Sequence, residues 1–263
     1  MSLPLETPAL APDPLAELAL RQGRYALRFA RTAADVDRAL RLRFEVFNRE
    51  LGEGLAESWD TGRDCDEFDA VCDHLLVEDA RSGELAGTYR MQTHAMARAG
   101  LGFYAAREFA LGSLPAGVLE ASVELGRACV AQPHRHGRAL FALWRGIAEY
   151  VRVTGRRYLF GCCSLQSRAP ADGWALYAEL VRRGVLDPAR AVPARAPFRC
   201  AREAASGVES PAAPPLLDMY LRAGARVVSE PALDRDFGTV DFLVLLDLLA
   251  LPEGGIARAL RGE

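Results

Sequence analysis

Apolar and polar positions along the chain change period several times, and each change marks an element. Tyr25 to Ala30 alternate in the two-residue period of a strand. Thr32 followed by Asp35 has the form of a helix start, and Val36, Leu40, Phe44 and Phe47 keep one face apolar to about Glu50. Leu75 to Glu78 and Leu85 to Gln92, joined through Ser82-Gly83, predict a hairpin, and residues 103–111 a short helix or irregular segment. Residues 122–130 form an apolar run that predicts a core strand, followed by a Pro-broken turn, Gly137 and an amphipathic helix from Arg138 to Thr154 that Gly155 ends. Tyr158 to Ser164 read as a strand, and Asp172 as the cap of a helix through Arg183. A helix from Pro215 and strands at Ala225 to Ser229 and Val240 to Leu246 complete the set. This order predicts one mixed α/β layered domain over 23–250, with a flexible arm at 1–22, a surface excursion at 185–214 and a tail at 251–263.

Composition narrows the classes. With 263 residues, half of them hydrophobic, the chain can bury a full core, and a net charge of -3 argues against general nucleic-acid binding. All 32 basic residues are arginines, so no lysine is available as a Schiff-base or general-base group. Six cysteines without CxxC spacing point to reduced thiols and a cytoplasmic protein. No apolar run reaches the roughly 18 residues of a membrane span, so any contact with the inner membrane face is peripheral.

The stretch 123–145, VELGRACVAQPHRHGRALFALWR, is the centre of the reading. A strand that feeds a glycine loop and a helix N-terminus leaves backbone N–H groups unpaired and aimed together, which favours a phosphate-sized anion. The stretch lacks both the GxxxxGK[ST] and the GxGxxG patterns, so neither ATP nor NAD is the expected ligand. His134-Arg135-His136-Gly137-Arg138-Ala139 instead resembles the (Q/R)xxGx(G/A) loop of the GNAT acyltransferases, with His134 in place of the first Gln or Arg.

Longer matches extend the resemblance over residues 24–246: RLRFEVFNRELG (41–52), CDEFDAVCDHLLV (65–77), GTYRMQT (87–93), REFAL (107–111), ELGRACV (124–130), ALFALWRGIAEYV (139–151), YLFGCCS (158–164), PLLDMYLRAGARV (215–227) and DRDFGTVDF (234–242). In this order they are similar to one GNAT subfamily, the ornithine N-acyltransferases of ornithine-lipid synthesis. Acyl-homoserine-lactone synthases are second relatives, through Arg43 with Val46 and Phe47, the acidic trio Asp64, Asp66 and Asp69, Arg90, and Glu124 with Arg127. Those synthases place a Trp where this chain has Glu53.

The resemblance implies a single GNAT-like α/β domain whose mixed sheet splays near 122–130, and transfer of a long, often 3-hydroxylated, fatty acyl group from acyl carrier protein to the α-amino group of ornithine, forming lyso-ornithine lipid. It implies no permanently bound cofactor: the donor is acyl-phosphopantetheine on the carrier protein, or acyl-CoA. Alternatives are an enzyme of the same fold acylating another amino acid or making a lactone, and a module that binds carrier protein or lipid without turnover.

Glu124 and Arg127 stand three apart on the core strand, which predicts opposite faces. Glu124, a charge inside an apolar strand, is the candidate general base, against a buried ion pair as its bland reading. Asp64, Asp66 and Asp69 are read either as a site for a dicationic amino acid or as an acidic loop tied down by Arg43 and Arg90. Arg43, Arg90 and Arg127 join them as substrate-side candidates. Ala128, Cys129 and Val130 are expected to polarise the thioester carbonyl and, with His134 to Ala139, to hold the donor arm, His134 and His136 on the phosphate side. Tyr177 matches the tyrosine that protonates the departing thiolate in many GNAT enzymes, against ordinary packing. Cys162 and Cys163 are expected to be inert, Trp144 and Phe141 to be core, and no metal site is expected. Arg135, Arg138, Arg145, Arg152, Arg156 and Arg157 would present a cationic face that suits an acidic carrier protein or anionic lipid, against a solvated helix face.

Overall fold

The structure is a computed structural model that describes residues 15, 17–202 and 210–261. Nine strands form one sheet: β1 (Ala19–Gln22), β2 (Tyr25–Phe29), β3 (Asp73–Asp79), β4 (Leu85–Thr93), β5 (Ser122–Val130), β6 (Tyr158–Leu165), β7 (Arg226–Val227), β8 (Ala232–Asp234) and β9 (Thr239–Asp247). Their order across the sheet is β1-β2-β3-β4-β5-β6-β9-β7, with β8 also on β9. Every pairing is antiparallel except that of β5 with β6.

The helices are α1 (Ala33–Arg43), α2 (Ser58–Thr61), α3 (His94–Ala99), α4 (Ala116–Glu120), α5 (Arg138–Thr154), α6 (Pro170–Arg182), α7 (Pro215–Arg222) and α8 (Gly255–Arg261). Thr32 and Asp35 make the expected reciprocal cap of α1. The expected continuation to Glu50 is present but widens into a π-helical stretch over Phe44–Glu50. α6 starts at Pro170 rather than being capped by Asp172, whose carboxylate instead accepts the Ser167 hydroxyl at 2.6 Å.

Alternation along β3, β4 and β5 sorts residues onto two faces. One face carries Leu75, Val77, Tyr89, Met91, Val123 and Leu125 into the core beneath α5, with Leu143, Trp144 and Ile147. Helix and sheet close there because α5 has Gly146 at the contact: a Cβ would stand 2.6 Å from Leu75. The other face carries His74, Thr88, Arg90, Gln92 and Glu124, all buried although polar.

Several stretches differ from expectation. β1 takes the last residues of the stretch read as an arm and pairs with β2, the rest of 1–22 lying outside the described residues apart from Leu15 and Glu17 to Leu18. The excursion 185–214 is bridged to β7 at Leu186, to β8 at Arg199 and to Ser229 between them at Val192, and it buries Val192, Ala194 and Cys200, so its described part is anchored rather than loose. The strand expected at Ala225 to Ser229 shortens to two residues, and β8 and α8 have no counterpart in the sequence reading.

Candidate active site

The site begins where β5 leaves β6. Their parallel pairing covers Ser122–Tyr158, Val123–Leu159 and Glu124–Phe160. Beyond that point β5 stays on β4 and β6 on β9, so the sheet opens between them, as expected. A cavity of about 560 Å³ occupies the gap, lined by Gly126 to Ala128 on one side and Cys162 to Gln166 on the other. Phe47, Leu51, Leu217 and Pro214 supply apolar wall, and Tyr89, Tyr220, Arg90, Glu53, Glu124, Asp234 and Asp241 bring polar groups to it.

Glu124 stands at the vertex. Its two carboxylate oxygens accept the backbone N–H groups of Tyr104 and Ala105, each at 2.7 Å. Burial pushes its carboxyl up to about 7, with those two amides and Arg90 pulling the other way. A carboxyl poised there can take a proton near neutral pH.

Arg127 does not lie on the opposite face from Glu124. The β4 register shifts between Thr88 and Arg90, and Arg127 takes a φ of 50°, so β5 bulges at this residue. The bulge turns the guanidinium over the Tyr104 ring at 5.6 Å and the Phe237 ring at 4.1 Å, on the side where Glu124 holds the Tyr104 amide.

The acidic trio is closed on arginines. Arg43, 1% exposed, donates to Asp64 at 2.7 Å and to Asp69 at 2.6 Å. Arg90 bonds Asp66 and, at 2.9 Å, Asp69, while Arg127 bonds Asp66 at 3.1 Å. The arginines hold the Asp66 and Asp69 carboxyls below the usual carboxylate range. Three cations and three anions therefore neutralise one another beside the cavity, with Asp64 Oδ2 and Arg127 Nε left without a hydrogen bond, which corrects the reading of Asp64, Asp66 and Asp69 as an open amine site. Arg43 has no place on the cavity wall; Arg90 and Arg127 reach it.

The loop at 134–139 has the expected backbone form: Gly137, at φ 90°, precedes α5, and no side chain caps the helix. The imidazoles do not point to an anion. His134 is 6% exposed and shares the Tyr25 hydroxyl at 3.0 Å, with His136 3.4 Å from the same oxygen. Arg135 donates to the Val130 carbonyl and pairs with Glu50, and Arg138 and Ala139 open the helix. Cys129 is buried with its thiol raised to about 12, and Val130 pairs with Gly87. Of the expected donor-side residues 128–139, Ala128 lines the cavity.

The cationic face is thinner than its sequence suggests, because Arg152 and Arg157 pair with Glu149 and Asp247 and Arg156 donates to the Glu120 carbonyl. Tyr177 lies on α6 against Trp174 and does not line the cavity. Two tyrosines that sequence reasoning missed do: the Tyr89 and Tyr220 hydroxyls lie 2.5 Å apart on its wall, and burial raises both so that they remain protonated. Cys162 and Cys163 also face the gap, their thiols raised by burial and therefore poor nucleophiles.

A second missed group is acidic. Glu108, Asp234 and Asp241 bring carboxyl oxygens within 4.8 Å of one another. Asp241 could have been found from sequence by the reasoning applied to Glu124, since it too interrupts an apolar strand.

A sheet parted beside a buried, proton-ready carboxylate is what an acyl-transfer site with an extended donor arm requires. Over 263 aligned residues the chain is 32% identical to an L-ornithine N(alpha)-acyltransferase of Rhizobium meliloti (strain 1021), covering 89% of this chain and 84% of that protein. The corresponding enzyme of Brucella abortus (strain 2308) is 34% identical over 242 residues, covering 87% and 86%. The chain belongs to the L-ornithine N(alpha)-acyltransferase family. Residues 42–145 match the acetyltransferase (GNAT) domain. Among solved structures, FeeM, an N-acyl amino acid synthase from uncultured soil microbes, covers 87% of this chain and 94% of its own with a TM-score of 0.51 and 11% identity, a likeness of fold. The family member described here is thus a GNAT-fold acyltransferase, and no described helix is long and apolar enough to cross a membrane.

Proposed function

We propose that the protein moves a fatty acyl group, with or without a 3-hydroxyl, from acyl carrier protein to the α-amino group of ornithine, forming lyso-ornithine lipid. The observation that carries this reading is the gap between β5 and β6 with Glu124 at its vertex. An extended phosphopantetheine arm has amides that can pair with backbone the parted strands leave free, as an added strand would. The arm would run from the N-terminus of α5, where its phosphate meets first-turn N–H groups, toward Glu124.

In this reading Glu124 takes a proton from the substrate ammonium. The freed amine attacks the thioester carbonyl, an N–C bond forms and the C–S bond breaks, with the oxyanion facing backbone N–H groups near Ala128. Tyr220, hydrogen-bonded to Tyr89, gives a proton to the departing thiolate. The second proton that the acylated nitrogen sheds makes good that loss by way of solvent, while Glu124 releases the first to solvent after turnover. The apolar walls at Leu51, Leu217 and Pro214 suit the acyl chain. Carrier-protein docking and release of the product toward a lipid surface complete the reading.

The test is purified protein with 3-hydroxyacyl carrier protein and a panel of free amino acids, following thiol release and product mass. An N-acyl product from ornithine above all other amines supports the proposal. Another preferred amine would replace the acceptor and leave the chemistry, whereas no thiol release from carrier-protein or coenzyme A thioesters with any amine would overturn it.

A further inference from the structure

We propose that Glu108, Asp234 and Asp241 form the subsite that holds the side-chain ammonium of the acceptor, and so select a diamino acid over a monoamino one. The proposal deepens the acylation reading and rests on it for the identity of the acceptor.

Glu108 follows the turn at Tyr104–Arg107, Asp234 ends β8 and Asp241 lies on β9, so three separate segments converge. Glu108 is 1%, Asp234 6% and Asp241 4% exposed. Asp234 spends one oxygen on the backbone N–H groups of Asp236 and Phe237, at 2.9 and 3.0 Å. The Ser164 and Thr239 hydroxyls beside Asp241 favour its ionised form. Glu108 Oε2 and Asp241 Oδ1 are buried without a hydrogen-bond partner. Such atoms cost roughly 1–3 kcal/mol each unless something satisfies them.

No arginine among the described residues pairs with any of the three. Arg127 is nearest in role, and it bonds Asp66 at 3.1 Å with its Nε 3.6 Å from Asp64. Asp234 and Asp241 line the main cavity with Glu124, and Glu108 and Asp234 line the adjoining one with Arg127. The cluster therefore opens onto the space in which the amine must meet Glu124. A primary ammonium presents three N–H donors to three carboxyls. A hard divalent ion takes six or more oxygens, so at these three carboxyls it would need water or further ligands to complete its shell; the metal arm of the test separates the two occupants.

The wild-type protein, Asp241→Asn and Glu108→Gln are compared with ornithine and with norvaline, which has the same carbon skeleton without the side-chain amine. Acylation kinetics and calorimetric binding to the free protein are both read, with far-UV circular dichroism as the check on folding. A charged partner buried in a built site is worth about a hundredfold or more in discrimination. The expected result is a wild-type preference for ornithine of that order, in kcat/KM and in binding, that collapses in both variants. Equal losses for ornithine and norvaline would overturn the proposal, as would an undiminished preference in folded variants. Stabilisation by calcium or magnesium that ornithine does not compete away would make the cluster a metal site instead. The two readings fail separately: ornithine bound through the cluster but never acylated removes the acylation reading alone, and ornithine acylated with the cluster indifferent removes this one alone.

Discussion

Gly161 and the Leu125 carbonyl meet so closely that a Cβ on the glycine would lie 2.2 Å from that oxygen. The contact sits one residue beyond the last paired residues of β5 and β6, Glu124 and Phe160, so it sets where the strands begin to part. A side chain at 161 must push the backbone of Leu125, which carries Glu124 beside it. Gly161→Ala is expected to cost about 1–3 kcal/mol, the usual scale of overpacking, and to lower acyl transfer more than its loss of urea stability explains. Wild-type activity in this variant would show that the vertex tolerates displacement.

Glu124→Gln keeps the shape of the side chain and removes the base. Acyl transfer is expected to fall about 10²- to 10⁴-fold, the range general-base catalysis supplies. In the wild type, kcat/KM should rise with pH and level off above about 7, where the Glu124 carboxyl has lost its proton. The residual rate of the Gln variant should lose that inflection. Full activity in the folded variant would take Glu124 out of the mechanism and leave it as a clamp on the Tyr104 and Ala105 amides.

Tyr220→Phe and Tyr177→Phe separate the two candidate acids. Tyr220 faces the cavity with its hydroxyl on Tyr89, whereas Tyr177 packs on Trp174 away from it. Loss of the Tyr220 hydroxyl is expected to reduce kcat about tenfold to a hundredfold, less than a full general-acid effect because a thiolate is a good leaving group. The Tyr177 variant should keep wild-type kcat. The reverse pattern would restore the assignment made from sequence.

The difference between those tyrosines shows where sequence reasoning reaches. Elements were legible because period and caps are local: Thr32 with Asp35, Gly137 before α5 and Gly155 after it all fall where the residue pattern places them. The gap between β5 and β6 was legible through family resemblance. Side-chain direction was not, because one bulge at Arg127 reverses the alternation on which face assignments rest. Nor was the partner of each charge: Asp64, Asp66 and Asp69 pair with arginines 21 to 61 residues away in sequence, and of the acids left without cations Glu108 lies more than a hundred residues from Asp234 and Asp241.

Arg43→Met tests the closed network. The variant leaves Asp64 and Asp69 buried with one cation fewer, and breaking a buried pair from one side costs about 3–5 kcal/mol. Urea unfolding should show that loss, with kcat in the remaining folded protein reduced little because Arg43 does not reach the cavity. A stability within about 1 kcal/mol of wild type would mean that Arg90 and Arg127 hold the aspartates unaided.

Two sets of carboxyls pull the pH dependence of stability in opposite directions. Asp66 and Asp69 are held below their usual 3.8, so the stability they contribute is present above that value and is lost as pH falls beneath it. Burial raises Glu124 from 4.5 to about 7, Glu53 from 4.5 to about 7 and Asp241 from 3.8 to about 6. Each of these binds its proton more tightly folded than unfolded, so its contribution is complete below the unfolded value and is lost as pH rises through the folded one. Without ligand, the melting temperature should therefore peak near pH 4 to 5 and decline toward pH 8, opposite to the rise that paired surface carboxylates alone would give. Glu124→Gln and Asp241→Asn should each flatten the decline, since each removes a group that must ionise while buried. A wild-type melting temperature that is level or rising between pH 5 and 8 would mean that these acids already have cationic or solvent partners, and with that the unsatisfied charge on which the ammonium subsite depends would be gone.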